Sequence, residues 1–465
     1  MTYALPAPEI FKAYDIRGIV DTVLTPDAVR AIGHALGSEA AVRGQKAIAI
    51  GRDGRLSGPA LAGALGEGIR AAGIDVIDIG CVPTPLTYFA AYQLGCDSCV
   101  SVTGSHNPPD YNGLKMVLGG QTLFGELIQA LRRRIAENDL VHGDGELRHA
   151  SVDAAYLERI VGDVKLARPM KIVLDCGNGV AGGIAPELFR RLGCEVIELF
   201  CEVDGNFPNH HPDPSKPENL QDVIRVLRET DAELGLAFDG DGDRLGVVTK
   251  DGEIIFPDRQ LMLFAEDVLS RVPGAEIIYD VKCTRNLATW IRARGGKPTM
   301  WNTGHALVKA KLKETGAPLA GEMSGHMFFK ERWFGFDDGL YSGARLLEIL
   351  SARADANATL KALPDAVSTP ELNIKMKEGE PFELVRRLQQ AALATPSCFA
   401  DANEVITLDG VRVEFARGFG LARASNTTPV VVLRFEADDA AALTAIQSAF
   451  RHAIDAAWPG LALPF

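Results

Sequence analysis

The sequence has no excess of basic residues and no long apolar run. Its 48 Lys and Arg residues are outnumbered by 61 Asp and Glu residues, which gives a net charge of −13. A general nucleic-acid binder needs a basic surface to meet phosphates, so we expect no nucleic-acid partner. No uninterrupted apolar run approaches the length needed to cross a bilayer, so we expect no membrane partner either.

The first residues also lack the pattern of a secretion signal. The segment MTYALPAPEIFKAYDIRG has neither the basic start nor the following apolar run of a signal peptide. From the sequence we therefore expect a cytoplasmic protein.

Cysteine is scattered, with eight residues in a chain of 465. A chain of this length does not need disulfides to hold together. Cys96 and Cys99 form a C-x-x-C, but no second C-x-x-C and no paired histidines accompany it. We therefore expect buried thiols that act as small apolar residues, and not a zinc or redox site.

The order of apolar and polar segments predicts several repeated strand–helix–strand units. Residues 45–53 are typical of a strand, residues 59–72 of a helix and residues 73–80 of the next strand. The pattern restarts at Met170 and again at Ala275. Such repetition implies right-handed βαβ crossovers and mostly parallel sheets.

The C-terminal part has a different pattern. Two strand-like segments, GVRVEFARG and TPVVVLRFEA, are flanked by helical segments, and residues 363–373 are expected to link this α+β module to the rest. We therefore predict an α/β protein with three successive α/β domains, which have mixed, mostly parallel sheets, and a C-terminal α+β domain. The expected domain limits are 1–150, 151–253, 254–365 and 366–465.

The segment DGDGDR is the most specific signal in the sequence. Asp239, Asp241 and Asp243 occupy alternate positions, so an extended backbone points their carboxylates to one side. The intervening glycines allow the backbone to curl around an ion, and oxygen ligands favour Mg²⁺ or Ca²⁺ over zinc. An EF-hand is excluded, because Arg244 and Lys250 stand where it requires Gly and Glu. A surface turn rich in Asp and Gly is the alternative.

A glycine pattern raises a second enzyme class. The segment CGNGVAGG follows a predicted strand and contains G-x-G-x-x-G at Gly177, Gly179 and Gly182, with Glu202 further on. This pattern is compatible with an NAD-binding dehydrogenase. A generic glycine-rich turn between a strand and a helix also explains it, and nothing else in the sequence indicates hydride chemistry.

Three further polar loops are candidates for ligand binding. Ser105 lies in TGSHNP directly after a predicted strand, and it is not the nucleophile of a G-x-S-x-G elbow because the flanking glycines are missing. GEMSGH places Glu322, Ser324 and His326 at alternate positions, which suits neighbouring hydroxyls of a sugar. RASNTTP offers the cation of Arg423 with hydroxyl and amide donors, which suits a phosphate. Taken singly, each loop is also typical of a surface turn.

Together, the segments TGSHNP, DGDGDR, GEMSGH and RASNTTP, in this order and at these separations, resemble the α-D-phosphohexomutase superfamily. The sequence is most similar to the bacterial phosphomannomutase/phosphoglucomutase branch, and the resemblance extends from KAYDIRG, residues 12–18, to the C-terminal module. It implies four domains around a central cleft, with one loop from each.

The resemblance also implies site residues. Ser105 is expected to carry a phosphoryl group, with Mg²⁺ between that group and the carboxylates of Asp239, Asp241 and Asp243. The residues expected to take part in catalysis are Ser105, His106, Lys115, Arg17, Arg244 and His305. The residues expected to bind the sugar and its unreactive phosphate are Tyr14, Arg17, Lys282, His305, Glu322, Ser324, His326, Arg423, Ser425, Asn426 and Thr427.

The activity implied by the resemblance is reversible phosphoryl transfer between positions 1 and 6 of a glucose or mannose phosphate. It proceeds through phosphoserine, with a hexose 1,6-bisphosphate as intermediate and activator. Family amino-sugar mutases tend to have Gln where Met323 stands, which favours a neutral hexose. We expect small hexose phosphates as partners and a monomer. The alternatives are a metal-dependent sugar phosphatase, the dehydrogenase above and a sugar-phosphate binder without chemistry.

Overall fold

The first part of the chain forms a mixed seven-stranded sheet. The computed structural model describes residues 3–426 and 428–465. After a short 3-10 helix, the elements of this part are β1 (Ile16–Ile19), α1 (Pro26–Val42), β2 (Ala47–Arg52), α2 (Gly58–Ala71), β3 (Asp75–Cys81), α3 (Thr84–Gln93), β4 (Cys99–Val102), β5 (Tyr111–Leu118), β6 (Gln121–Thr122), α4 (Glu126–Glu137) and β7 (Leu147–His149). The sheet order is β1-β5-β4-β2-β3-β7, with β6 beside β5.

The centre of this sheet brings two functional loops to one edge. Strands β2 and β4 are parallel neighbours, and every residue of β4 is buried. Because the carboxyl ends of parallel strands lie at the same edge, the loops that follow β2 and β4 are adjacent. These loops contain Arg55 and Ser105.

The second sheet has five strands. Its part of the chain comprises α5 (Asp153–Asp163), β8 (Met170–Asp175), α6 (Ala185–Arg191), β9 (Cys194–Leu199), α7 (Gln221–Glu229), β10 (Leu234–Phe238), β11 (Leu245–Thr249) and β12 (Ile254–Ile255). The order is β12-β11-β10-β8-β9. Strands β9, β8 and β10 are parallel, whereas β11 returns antiparallel beside β10. The short connection between β10 and β11 is the DGDGDR loop.

The third sheet has four strands in the order β14-β13-β15-β16. The elements here are α8 (Pro257–Arg271), β13 (Glu276–Asp280), α9 (Arg285–Ala293), β14 (Lys297–Trp301), α10 (His305–Thr315), β15 (Leu319–Gly321), β16 (Met327–Phe329), α11 (Gly339–Ser351) and α12 (Ala356–Lys361). Strands β15 and β16 are antiparallel, and the GEMSGH loop connects them.

The C-terminal sheet is antiparallel and has six strands. Its strands are β17 (Val367–Ser368), β18 (Leu372–Lys375), β19 (Glu404–Ile406), β20 (Val411–Phe415), β21 (Gly418–Ala424) and β22 (Val430–Ala437). The helices of this part are α13 (Glu380–Leu393) and α14 (Ala440–Ala457). Strands β21 and β22 pair along their length, and the RASNTTP loop joins them.

Packing joins the first three sheets more closely than the fourth. One buried cluster contains residues from all three, including Phe89, Tyr156 and Trp333, whose rings lie against one another. The C-terminal part has its own core around Phe435 and Phe450. The first three parts therefore share a continuous core, to which the fourth part is a separate addition.

The predicted repetition of strand–helix–strand units and the predicted fold class are confirmed. Strand β2 lies within residues 45–53, and the third sheet begins its cycle at Glu276. The C-terminal sheet is larger than expected, because the segment 363–373 is not only a linker: β17 and the start of β18 lie in it and pair with β22.

Two further expectations concern the cysteines and membrane-spanning segments. All eight cysteines are free, and Cys96 and Cys99 belong to no group of potential metal ligands among the described residues. Cys81 and Cys398 are exposed, so the expectation of buried thiols holds only for part of the set.

Within residues 3–426 and 428–465, no helix combines the length and apolarity needed to cross a membrane.

Candidate active site

A cavity of about 520 Å³ is lined by residues from all four parts of the chain. Most residues proposed from the sequence lie on its wall, which brings together Tyr14, Arg17, Ser105, His106, Lys115, Arg244, Lys282, His305, Glu322, Ser324, His326, Arg423, Ser425 and Asn426. The three aspartates of DGDGDR are not on the wall and are fully buried. Thr427 lies outside the described residues.

Ser105 sits in a constrained loop directly after β4. Its φ of +50° is unusual for a residue with a side chain, so the surrounding contacts must impose it. The backbone N–H of Ser105 donates to Oγ1 of Thr103 at 2.8 Å. The hydroxyl of Ser105 lies 3.2 Å from Oδ2 of Asp239 and 3.1 Å from Nδ1 of His106. The serine hydroxyl is therefore fixed against the first aspartate of the acidic loop.

The acidic loop is a tight turn, and not an extended segment. The N–H of Gly242 donates to the carbonyl of Asp239 at 3.1 Å, and Gly242 has a φ of +75°. The turn nevertheless places one carboxylate oxygen each of Asp239, Asp241 and Asp243 within 4.8 Å of one another. The predicted convergence is thus observed, but the turn produces it.

The electrostatics of this loop suit a cation. Burial and the neighbouring Asp243 and Asp241 carboxylates raise the pKa of Asp239 well above its ordinary value. Oδ1 of Asp241 is buried and has no hydrogen-bond partner among the described residues. Three converging carboxylates with a buried oxygen left over fit a hard metal ion, whose preferred ligands are oxygens.

Lys115 is the cation that pairs with both Asp241 and Asp243, whereas Nε of Arg244 lies 3.6 Å from Oδ2 of Asp239. Its Nζ lies 2.8 Å from Oδ2 of Asp241 and 2.5 Å from Oδ2 of Asp243. Burial favours the neutral amine, but the two carboxylates outweigh it and raise the pKa of Lys115. Lys115 therefore carries a positive charge at the boundary between the cavity and the acidic loop.

The GEMSGH loop forms a compact polar cluster. Nδ1 of His326 lies 2.8 Å from Oγ of Ser324 and 3.0 Å from Oε2 of Glu322. The other oxygen of Glu322 accepts the N–H of Gly304, which precedes α10. Nε2 of His326 faces Oδ1 of Asp243 at 3.3 Å. The predicted sugar-binding loop therefore touches both the acidic loop and the start of α10.

Neighbouring charges shift the pKa values of two cavity histidines in opposite directions. Burial opposes the charged form of His326, but the Asp243 carboxylate raises its pKa to about 9. Burial and the cations of Lys309 and Lys115 lower the pKa of His305 well below its ordinary value. His305 is thus neutral at neutral pH, so its ring can accept a proton.

The opposite end of the cavity is built from distant parts of the chain. Nε of Arg423 donates to Oδ2 of Asp409 at 3.1 Å. Nδ2 of Asn426 donates to the hydroxyl of Tyr14, which in turn donates to the carbonyl of Thr303 at 2.8 Å. The C-terminal loop is therefore connected to the first and third parts of the chain across the cavity.

Several supporting residues were not predicted. Asp409 holds both Arg423 and the N–H of Thr303, and Glu371 lies 3.1 Å from Nζ of Lys282. Asp280 accepts the N–H of Met323 at 3.1 Å. Asp280 ends the buried strand β13, and a polar residue at the end of a buried strand is a signal that could have identified it.

The glycine pattern after β8 serves packing. A Cβ on Gly179 would lie 3.0 Å from the carbonyl oxygen of Gly240 and 3.1 Å from that of Asp239. The N–H of Val180, in the same turn, donates to the carbonyl oxygen of Gly240 at 3.1 Å. Glycine is therefore required here because the turn packs directly on the acidic loop.

Comparison with known proteins gives the same four-part division. Models described as phosphoglucomutase/phosphomannomutase match residues 8–142 (alpha/beta/alpha domain I), 154–252 (domain II), 256–367 (domain III) and 371–453 (C-terminal domain). The chain therefore belongs to the phosphoglucomutase/phosphomannomutase family.

Individual relatives are similar over nearly their whole length. A phosphomannomutase/phosphoglucomutase of Pseudomonas aeruginosa is 57% identical over 462 residues, which cover 99% of this chain and 98% of the relative. A phosphoglucomutase of Neisseria gonorrhoeae is 58% identical over 457 residues, covering 97% and 98%. A crystal structure of a family protein from Burkholderia thailandensis has 62% identity and a TM-score of 0.93, and the match covers 99% of this chain and 100% of that one.

These findings confirm the family and the class of reaction predicted from the sequence. The protein is an enzyme that catalyses phosphoryl transfer on hexose phosphates, and it belongs to the isomerases. Neither the phosphatase nor the dehydrogenase is supported.

Proposed function

We propose that the protein moves a phosphoryl group reversibly between positions 1 and 6 of glucose or mannose phosphate through a phosphorylated Ser105. The observation that carries this proposal is the 3.2 Å contact between Oγ of Ser105 and Asp239, at the meeting point of the cavity and three buried carboxylates. A serine hydroxyl in this place lines the cavity and lies next to a site for a cation.

We propose Mg²⁺ as the metal. Asp239, Asp241 and Asp243 would hold it together with the phosphorylated Ser105. When bound, the ion would offset the negative charge that accumulates between the carboxylates and the phosphoryl oxygens. The buried Oδ1 of Asp241, to which no described residue donates a hydrogen bond, supports this assignment.

In the first step, the phosphoryl group leaves Ser105 for the free hydroxyl of a hexose 1- or 6-phosphate. The bond between phosphorus and Oγ of Ser105 breaks, and a bond between phosphorus and the sugar oxygen forms. The sugar hydroxyl gives its proton to an acceptor on the cavity wall, and Oγ of Ser105 takes up a proton in its place, so that the serine hydroxyl is restored. His305 is a candidate acceptor because its ring lines the cavity and is neutral, whereas Lys115 carries charge and can donate to the transferring oxygens.

The product of this step is a bound hexose 1,6-bisphosphate. In the second step, the phosphate at the other position returns to Ser105, so the sugar must bind in two orientations. Glu322, Ser324 and His326 form one compact cluster and would read ring hydroxyls that occupy similar places in both orientations. The proposed holder of the unreactive phosphate is the Arg423 loop.

Three further proposals concern the domain limits, the oligomeric state and the location of the protein. We propose that domains 1–150, 151–253, 254–365 and 366–465 each supply one loop. Since one chain supplies all walls of the cavity, no second copy is needed, and we propose a monomer. We also propose a cytoplasmic location, because hexose phosphates are charged metabolites that do not cross membranes unaided.

The test compares Ser105→Ala with Ser448→Ala, which changes an exposed serine of α14. Wild-type protein and the control should interconvert glucose 1-phosphate or mannose 1-phosphate with its 6-phosphate in a coupled assay and should carry one phosphate by mass spectrometry. Ser105→Ala should lose both properties. Normal turnover by Ser105→Ala, or release of inorganic phosphate in place of the isomer, would contradict the proposal.

A further inference from the structure

Arg55 lies entirely beneath the loop that carries Ser105. Its side chain is fully buried and is not part of the cavity wall. The guanidinium donates to the carbonyl oxygens of Ser105 at 2.9 Å, Asn107 at 2.6 Å and Tyr111 at 3.0 Å, and to that of Pro108. A single side chain thus donates hydrogen bonds to four backbone carbonyls between residues 105 and 111 of the loop.

Asp53 ties the same guanidinium to the other side of Ser105. Oδ2 of Asp53 lies 3.1 Å from Nε of Arg55 and accepts the hydroxyl of Thr103 at 2.8 Å and the N–H of Gly104 at 3.1 Å. Asp53 therefore holds the residues before Ser105, whereas Arg55 holds those after it.

The fit around the guanidinium leaves little freedom. A Cβ on Gly104 would lie 2.4 Å from Cζ of Arg55, so the loop packs directly on the guanidinium. On another side, the ring of Phe207, from the second part of the chain, lies with its centroid 5.2 Å from Cζ. The guanidinium is thus fixed by an ion pair, by the loop backbone and by an aromatic ring.

We propose that Asp53 and Arg55 are positioning residues for phosphoryl transfer. They hold the 103–111 loop so that Ser105 keeps its φ of +50° and directs its hydroxyl at Asp239. This inference rests on the proposed function, in which Ser105 carries the phosphoryl group. Neither residue lines the cavity, so both act on the reaction only through the position of Ser105.

The chemistry of the contacts explains why arginine is required. A guanidinium is planar and has five N–H donors, which can serve several carbonyls and a carboxylate at once. A lysine keeps the charge but has one nitrogen, so at least some of the carbonyls would lose their donor. A displacement of about 1 Å at a reacting group can lower the rate about 100-fold.

The experiment compares Arg55→Lys and Asp53→Asn with Arg345→Lys, which changes another fully buried arginine that pairs with Asp267 and Glu331. For each variant, kcat and KM for glucose 1-phosphate, the rate of Ser105 phosphorylation by glucose 1,6-bisphosphate and Tm are measured. All assays are run well below the lowest Tm.

We expect Arg55→Lys to lower kcat and the phosphorylation rate about 100-fold, with KM changed less than about threefold. Asp53→Asn should show the same pattern, in which kcat and the phosphorylation rate fall about tenfold and KM changes little. This variant provides the test if Arg55→Lys does not fold. Arg345→Lys should lower Tm without lowering kcat or the phosphorylation rate in this way. A fall in kcat and in the phosphorylation rate at nearly constant KM distinguishes positioning of Ser105 from a general loss of folded protein.

Wild-type phosphorylation rates in Arg55→Lys or in folded Asp53→Asn would overturn the positioning role and leave the proposed function standing. An equal loss of kcat in the Arg345→Lys control would also overturn it. A wild-type protein that never carries phosphate on Ser105, together with active Ser105→Ala, would overturn both proposals.

Discussion

Gly240 packs against the main chain of Ser105. A Cβ at Gly240 would lie 2.3 Å from the carbonyl oxygen of Ser105, far inside normal contact distance. The acidic loop and the serine loop belong to different sheets, so this contact sets the distance between the two parts of the proposed phosphoryl-transfer site. No flexible side chain separates them that could adjust.

We expect Gly240→Ala to lower kcat/KM by about 100-fold, because the added methyl group must push the two loops apart. The control is Gly63→Ala in α2, where a Cβ would meet nothing within 4 Å. That variant should keep its activity and gain about 0.5–1 kcal/mol of stability, since alanine favours a helix. Steady-state kinetics and thermal unfolding check both outcomes, and a fully active Gly240→Ala would refute the argument.

The acidic loop should make the enzyme dependent on Mg²⁺. Chelation should abolish turnover and added Mg²⁺ should restore it, because three buried carboxylates need a cation beside a phosphoryl group. Asp241→Asn should require more Mg²⁺ and lose about 100-fold or more in kcat/KM. Asp144→Asn, at an exposed position, is the control. Undiminished activity of Asp241→Asn in chelator would show that no metal takes part.

The sequence predicts local parts of the site well and its long-range parts poorly. Asp239, Asp241 and Asp243 lie close together in the sequence, which predicts that they converge, although a tight turn brings them together and not the extended backbone that the prediction assumed. The hydrogen bond between Tyr14 and Asn426 spans 412 positions, and it depends on how four sheets pack. No local spacing contains that information; only the family resemblance placed both residues in one site.

The same distinction applies to the fold. Strand β10 is buried at every residue and reads clearly as a strand, because its side chains are apolar on both faces. Strands β17 and β19 have only two and three residues, none of them buried, and lie at the edges of the C-terminal sheet. Strands this short show almost no alternation of apolar and polar residues, so only pairing with their neighbours identifies them.

Asp338 should make the stability of the fold depend on pH. Its buried carboxyl accepts the hydroxyl of Tyr156 at 2.9 and 2.8 Å and caps α11 through the N–H of Tyr341. Burial raises the pKa of Asp338 to about 7. Between about pH 4 and pH 7 the folded state therefore keeps a proton that the unfolded state has lost, so stability falls as pH rises.

We expect Asp338→Asn to remove this loss, because asparagine stays neutral and still caps a helix. Relative to wild type, the variant should gain about 2–4 kcal/mol of unfolding free energy between pH 4.5 and pH 8. Denaturant unfolding at both pH values measures the difference. Asp355→Asn, at the exposed cap of α12, controls for the cap itself. Parallel pH profiles for wild type and Asp338→Asn would contradict the assignment.

Arg423 separates holding the substrate from transferring the phosphoryl group. It is the penultimate residue of strand β21 in the C-terminal part, whereas Ser105 and the acidic loop belong to the first and second parts. Its guanidinium is nearly buried, lines the cavity and is oriented by Asp409 at 3.1 Å. A fixed, oriented guanidinium is suited to a charge-assisted, bidentate hold on a phosphate.

We therefore expect Arg423→Ala to lower kcat/KM about 30- to 1,000-fold, which corresponds to the loss of about 2–4 kcal/mol. Binding energy from the unreactive phosphate positions the reacting hydroxyl, so kcat should fall together with affinity. Arg423→Lys should recover only part of the loss, because an ammonium has charge but no planar fork.

Phosphorylation of Ser105 in Arg423→Ala decides whether the two roles are separate. Among the described residues, no hydrogen bond or ion pair joins Arg423 to the serine loop or the acidic loop, so mass spectrometry should still find phosphate on Ser105. The control is Arg417→Ala, which changes an exposed arginine in the turn between β20 and β21 that pairs with Asp439. It should keep wild-type kinetics. Wild-type kcat/KM in Arg423→Ala would remove this loop from the active site, and loss of the phosphoserine would show that binding and transfer are not separable.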